Sequence, residues 1–89
     1  MRCIVKRHGV CQLYDERKVY ASCYASCLAA SVPHEHAEKI CAKVSKEITT
    51  WVKSKKEISS DQMFKQVSRT IKKHHKHAGF MYETHRDIS

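Results

Sequence analysis

The sequence predicts a small α+β domain in which an N-terminal β-hairpin caps a bundle of four helices. Residues 1–14 are rich in β-forming side chains and contain one of the two glycines, whereas helical patterns occupy most of the remainder. A chain of 89 residues can bury one small core. We therefore expect a single domain over residues 1–89, with a hairpin at about 3–14 and helices at about 15–31, 34–53, 60–75 and 77–87.

The hairpin is predicted from two short apolar segments that flank a turn. Residues 3–7 and 10–14 alternate in character, and His8-Gly9 between them has the length of a two-residue turn. Gly9 can adopt a positive φ without steric cost. Asp15 follows the second segment and is a good N-cap for the first helix.

The first two helices are predicted from apolar side chains at helical spacing. Pro33 separates them and suits the first turn of a helix. The first helix has one narrow stripe (Val19, Cys23, Cys27 and Ala30). The second has the clearest amphipathic pattern in the chain (Ala37, Ile40, Cys41, Val44, Ile48, Trp51 and Val52).

The last two helices follow a charged link, and Glu57-Ile58 is expected to form a short extended piece. Ser59 and Gln62 have the spacing of a capping box, which predicts the start of the third helix. Its inner face is expected to carry Met63, Val67, Thr70, Ile71 and His74. A break near Lys76 leads to a final helix with Ala78, Met81, Tyr82 and His85 inside.

The net charge of +8, from 17 Lys and Arg against 9 Asp and Glu, indicates either a solubilising surface or an anionic partner. A basic stripe is expected along the third helix (Lys65, Arg69, Lys72, Lys73 and Lys76). A small basic nucleic-acid-binding protein is therefore the alternative function, although no helix-turn-helix or RNA-binding motif is recognisable. No nucleophile signature or glycine-rich phosphate loop is present, so we expect no enzyme.

The five cysteines are expected to be reduced and mostly packed in a cytoplasmic protein, since charge interrupts the N-terminus before any signal-peptide apolar region. No stretch reaches the apolar length of a membrane span. Cys23 and Cys27 lie four residues apart without a second matching pair, so the sequence requires no metal. The histidines at 34–36 and 74–77 are expected to be exposed or packed rather than ligands.

An anion site is predicted at the N-terminus. Lys6 and Arg7 precede the turn, and Lys18 lies in the first turn of the first helix, where backbone N–H groups also favour an anion. Tyr14 and Val19 could supply the apolar surface that a base needs. These features favour a nucleotide as the ligand.

In the same residues the chain resembles the ATP-cone domain, a regulatory nucleotide-binding module of ribonucleotide reductase large subunits and of the repressor of their genes. The matching features are an apolar strand, Lys6-Arg7-His8-Gly9, a second strand, and Leu13-Tyr14-Asp15 with Lys18 three residues later. Ile58-Ser59 before an amphipathic helix and Tyr82 near the end also match. The resemblance covers roughly residues 3 to 88 and implies a β cap over four helices.

The resemblance further implies ATP or dATP as a ligand and an action through a protein partner or self-association. By position, the phosphates would contact Lys6, Arg7 and Lys18, and the base and sugar would contact Gln12, Leu13, Tyr14, Asp15, Val19 and Ser60. Three positions depart from the family pattern: His8 replaces a frequent Asp, Phe64 replaces a polar or acidic residue, and Ser89 replaces a basic residue, for which Arg86 could compensate.

Overall fold

The computed structural model describes residues 3–6 and 9–86, and their side chains as far as Thr84. The elements are two strands, β1 (Cys3–Val5) and β2 (Cys11–Leu13); two helices, α1 (Glu16–Ala29) and α2 (His34–Lys53); a third strand, β3 (Ile58–Ser59); and two further helices, α3 (Ser60–His74) and α4 (Lys76–Arg86). The α+β class, with an N-terminal hairpin followed by four helices, is confirmed.

The three strands form one small sheet in the order β2-β1-β3. β1 pairs with β2 in antiparallel fashion and with β3 in parallel fashion, so that Ile4 lies opposite both Gln12 and Ile58. Ile4 and Ile58 are both buried. The sheet therefore anchors the hairpin to the helical part through apolar side chains as well as through backbone hydrogen bonds.

The turn of the hairpin differs from the sequence prediction. Lys6 N donates to Val10 O at 2.9 Å and Gly9 N donates to Lys6 O at 2.8 Å. Three positions, 7 to 9, therefore separate the paired residues Lys6 and Val10. The prediction of a two-residue turn at His8-Gly9 is wrong. Gly9 adopts a φ of 79°, which suits the glycine. Arg7 and His8 lie outside the described residues.

The helices begin where local side chains satisfy free backbone N–H groups. Asp15 accepts a hydrogen bond from Arg17 N at the start of α1. Ser59 and Gln62 form the expected capping box at the start of α3. His75, between α3 and α4, accepts a hydrogen bond from Ala78 N through Nδ1 and so caps α4. Each cap gives a partner to a backbone N–H group that has none within its own helix.

The core lies inside a ring of four helices, in which α1 and α3 each contact both α2 and α4. α2 contributes the most to it, and its predicted apolar face is buried except for half-exposed Trp51. Val19, Cys23 and Cys27 face the core from α1, and Val67 and Ile71 from α3. Of the inner positions predicted for α4, Ala78 is buried, Met81 and Tyr82 are half-buried, and the His85 side chain lies outside the described residues.

Candidate functional site

A cavity of about 520 Å³ lies between the hairpin and the helices. Its walls come from β1 and β2, from the first three turns of α1, from the beginning of α3 and from Tyr82 of α4. The cavity is thus a consequence of the cap resting on the bundle, because neither part encloses it alone. Its volume falls within the usual range for small-molecule sites, roughly 300–1,000 Å³.

The cavity brings together eight of the nine residues predicted for the site. They are Lys6, Gln12, Leu13, Tyr14, Asp15, Lys18, Val19 and Ser60. The ninth, Arg7, lies outside the described residues, as do the Ser89 position and the side chain of Arg86. The predicted residues between 6 and 19 reach the cavity because β1 and β2, the segment that follows β2 and the first turn of α1 all contribute to its wall.

The charged side chains around the cavity leave a local excess of positive charge. Lys6, directly after β1, and Lys18, in the first turn of α1, both line it. Asp15 is the one acid among the described lining residues, and its carboxylate accepts hydrogen bonds from Arg17 N at 2.9 Å and Arg17 Nε at 3.2 Å. The side-chain and backbone hydrogen bonds from Arg17 lower the pKa of Asp15. Asp15 thus serves as the cap of α1, and its carboxylate pairs with Arg17.

Tyr14 is held in place at the cavity wall. Its hydroxyl shares a hydrogen bond with Thr49 Oγ1 of α2 at 2.8 Å. Burial raises the pKa of Tyr14, so the phenol is neutral at physiological pH. A neutral, fixed ring offers an apolar surface to a planar ligand, and the buried side chain of Val19 extends that surface.

The cavity wall also contains an aromatic pair that the site prediction did not include. Phe64 of α3 and Tyr82 of α4 stack with ring centroids 5.3 Å apart and an interplanar angle of 22°. Met63 and Ser26 also line the cavity. The sequence contained part of the signal for the aromatic pair, since the spacing of apolar residues placed Tyr82 on the inner side of the last helix. Only the packing of α4 against α3 brings the two rings together.

The basic stripe predicted on α3 is partly neutralised. Lys72 Nζ lies 2.8 Å from Glu83 Oε1, and Lys73 forms an ion pair with Glu47 of α2. Lys65, Arg69 and Lys76 are exposed. The stripe therefore serves in part to hold α3 against α2 and α4.

The predicted histidine clusters have structural partners. His34 hydrogen-bonds to the Tyr24 hydroxyl through Nδ1, and its Nε2 lies 2.7 Å from Glu38. His74 pairs with Glu47. These contacts are those of packed surface histidines.

The cysteines depart from the expectation that all five are reduced. A disulfide joins Cys3 and Cys11, whose Cα atoms are 5.5 Å apart on neighbouring strands but not directly opposite each other. Cys23, Cys27 and Cys41 are free and buried. Their sulfur atoms lie within 4.8 Å of one another, so Cys41 supplies a third thiol to the pair that had no visible partner in the sequence.

Comparison with known proteins identifies the family. The family model of the ATP cone domain matches residues 2–80, which is most of the chain. No curated protein and no solved structure matches. Within the described residues, none of the helices combines the length and the apolar character that crossing a membrane requires. With the hairpin cap, the four helices and the match over nearly its whole length, the chain belongs to the ATP-cone family of regulatory nucleotide-binding domains.

Proposed function

We propose that the cavity binds one adenine nucleotide, ATP or dATP, as a regulatory ligand. The observation that carries the proposal is one cavity whose wall contains both lysines, Lys6 and Lys18, and aromatic side chains. Phosphates need cationic donors, and a base needs a flat apolar surface. The cavity offers both within a volume suited to a small ligand.

The phosphates are assigned to Lys6, Arg7 and Lys18. Lys18 lies in the first turn of α1, where the N-terminal end of the helix also favours negative charge. Lys6 reaches the cavity from the hairpin, so a bound triphosphate connects the cap to the bundle. A ligand that contacts both parts is expected to hold the hairpin more firmly against the helices than the protein contacts do without it.

The base and sugar are assigned to the remaining predicted residues. Val19 and the Tyr14 ring provide apolar contact for the base. Gln12 and Leu13 of β2, and Asp15 in the segment between β2 and α1, surround the sugar. Ser60 closes the cavity from the first turn of α3. The Phe64–Tyr82 pair extends the apolar wall beyond the residues predicted from the sequence.

The nucleotide acts as a ligand rather than a substrate in this proposal. Phosphoryl transfer usually needs an acid that holds a metal ion or orients a nucleophile. Asp15 is the one acid among the described lining residues, and its carboxylate is engaged by Arg17. Binding orders the hairpin against the helices and thereby favours one state of self-association or of binding to a protein partner. Such a shift requires different nucleotide affinities in the two states.

Calorimetric titration with ATP, dATP and GTP at two salt concentrations tests the proposal. We expect saturable binding that prefers adenine and persists at the higher salt. Lys18→Glu should weaken it by about tenfold or more, since a hydrogen bond to a charged group contributes about 1.5–3 kcal/mol. Lys43→Glu changes the net charge equally on the exposed face of α2 and should leave the affinity nearly unchanged.

Two outcomes would overturn the proposal. Equal losses in both variants would mean that the overall charge, rather than the cavity, attracts the nucleotide. Binding that ignores the base, disappears with salt and depends on Lys65, Arg69 and Lys76 would favour the nucleic-acid alternative. Sedimentation velocity with and without ATP then tests the regulatory part, for which we expect a change in the oligomer distribution or in a partner complex.

A further inference from the structure

Three buried thiols meet at the contact between α1 and α2. Cys23 and Cys27 lie one turn apart on α1, and Cys41 faces them from α2. All three have no solvent exposure. Their sulfur atoms lie within 4.8 Å of one another. We call these three residues the thiol cluster.

The spacing of the thiol cluster suits a single atom bound to all three sulfurs. A thiolate bond to a soft ion such as zinc is about 2.3 Å long, so three sulfurs around a planar trigonal centre are roughly 4 Å apart. A pyramidal centre brings them closer. Small rotations of the side chains would bring sulfurs that already lie within 4.8 Å to such distances.

The charge of the bound complex determines which atom fits. All three thiols are completely buried within the hydrophobic core, where an uncompensated charge is costly. The site therefore opposes negative charge. Three thiolates around Zn²⁺ leave one uncompensated negative charge, and around Cu⁺ they leave two. Three thiolates around a trivalent centre leave none.

We propose that the thiol cluster is a binding site for a trivalent arsenic or antimony oxoacid, held by Cys23, Cys27 and Cys41 together. The reaction is a condensation: arsenous acid, As(OH)₃, and three thiols give a neutral tris-thiolate and three waters. Three As–O and three S–H bonds break, and three As–S and three O–H bonds form. No atom changes its oxidation state, so neither an oxidant nor a reductant takes part.

Native mass spectrometry with sodium arsenite tests this stoichiometry. The protein should carry Cys3→Ser and Cys11→Ser, which removes the hairpin pair as a competing dithiol and leaves the thiol cluster as its complete set of cysteines. We expect the protein mass to increase by the mass of one arsenic atom minus the mass of three hydrogen atoms. Binding to the folded state should also raise the melting temperature with arsenite concentration.

Variants distinguish the site from a general effect on folding. Cys41→Ala should reduce the affinity for arsenite at least tenfold. Any adduct that remains should have arsenic bound to two sulfurs, with two thiol hydrogens lost and one hydroxyl retained on the arsenic. Val44→Ala opens a cavity one turn further along α2 and keeps all three thiols, so the three-thiol adduct should persist. Circular dichroism of both variants shows whether each is folded.

Three results would overturn the proposal: no adduct with the folded protein, an adduct that retains a hydroxyl while all three thiols are present, or an adduct that Cys41→Ala leaves unchanged. Tighter binding of Zn²⁺ or Cu⁺ than of arsenite would refute the charge argument, because the site would then tolerate a negative complex.

Discussion

Gly79 lies at a close approach of α4 to α3, and its replacement by alanine is expected to destabilise the protein. A Cβ at this position would lie 2.9 Å from Lys72 N and 3.0 Å from Lys72 Cα, and would also contact Lys72 Cγ. The side chain of Lys72 could rotate away, but the backbone of α3 cannot. Gly79→Ala therefore pushes the two helices apart, although the same change in a free helix would stabilise it.

The magnitude follows from two opposing effects. Overpacking costs about 1–3 kcal/mol, and contact with a helix backbone places this site toward the upper end. Replacing glycine with alanine in a helix returns about 1 kcal/mol. The net loss is about 1–2 kcal/mol in the free energy of unfolding. For a domain of this size, that loss lowers the melting temperature by roughly 4–16 °C.

Urea denaturation followed by circular dichroism measures the change, with Thr84→Ala as the matched control. Thr84 is exposed on the same helix, so alanine there gains helix propensity without a clash and should leave the stability equal or slightly higher. A Gly79→Ala variant as stable as the wild type would show that α3 and α4 separate easily and would refute the reasoning.

Two further predictions concern the α3 helix. Ser59→Ala removes the capping box and should cost about 1 kcal/mol in urea denaturation, whereas Ser60→Ala should change stability by less than about 0.5 kcal/mol; equal losses would contradict the cap assignment. Partial burial raises the pKa of Glu47, but hydrogen bonds from Lys73 and His74 outweigh it and lower the pKa overall. Its stabilisation is therefore complete above the unfolded pKa and is lost as pH falls through the folded one. Glu47→Gln should be less stable than wild type at neutral pH and equally stable in acid, and a difference that persists in acid would contradict this assignment.

The helices were predictable because their signals are local. The spacing of apolar residues in α2 and the Ser59–Gln62 pair each depend on residues a few positions apart. The hairpin turn was less predictable, since a loop of two residues and one of three both accommodate Gly9. The parallel pairing of β1 with β3 had no local signal, because strands of two or three residues carry too little pattern to indicate a partner.

The candidate site was predictable to a similar degree. The predicted site residues between 6 and 19 lie close together in sequence, so a local motif could indicate that they surround one cavity. The Phe64–Tyr82 pair and the thiol cluster join side chains from different helices. Sequence alone shows Cys41 as one of several apolar residues on α2, and only the packing of α1 on α2 shows that it meets Cys23 and Cys27.

The central position of β1 in the sheet has a consequence for the order of folding. Its antiparallel partner follows within a few residues, but Ile58, its parallel partner, comes only after both α1 and α2 have been completed. Closing that long loop costs entropy that local helix contacts do not. We therefore expect the pair of helices to assemble first and the N-terminal strand to dock late, although it is synthesised first. The cavity beneath it would then be among the last features of the protein to form.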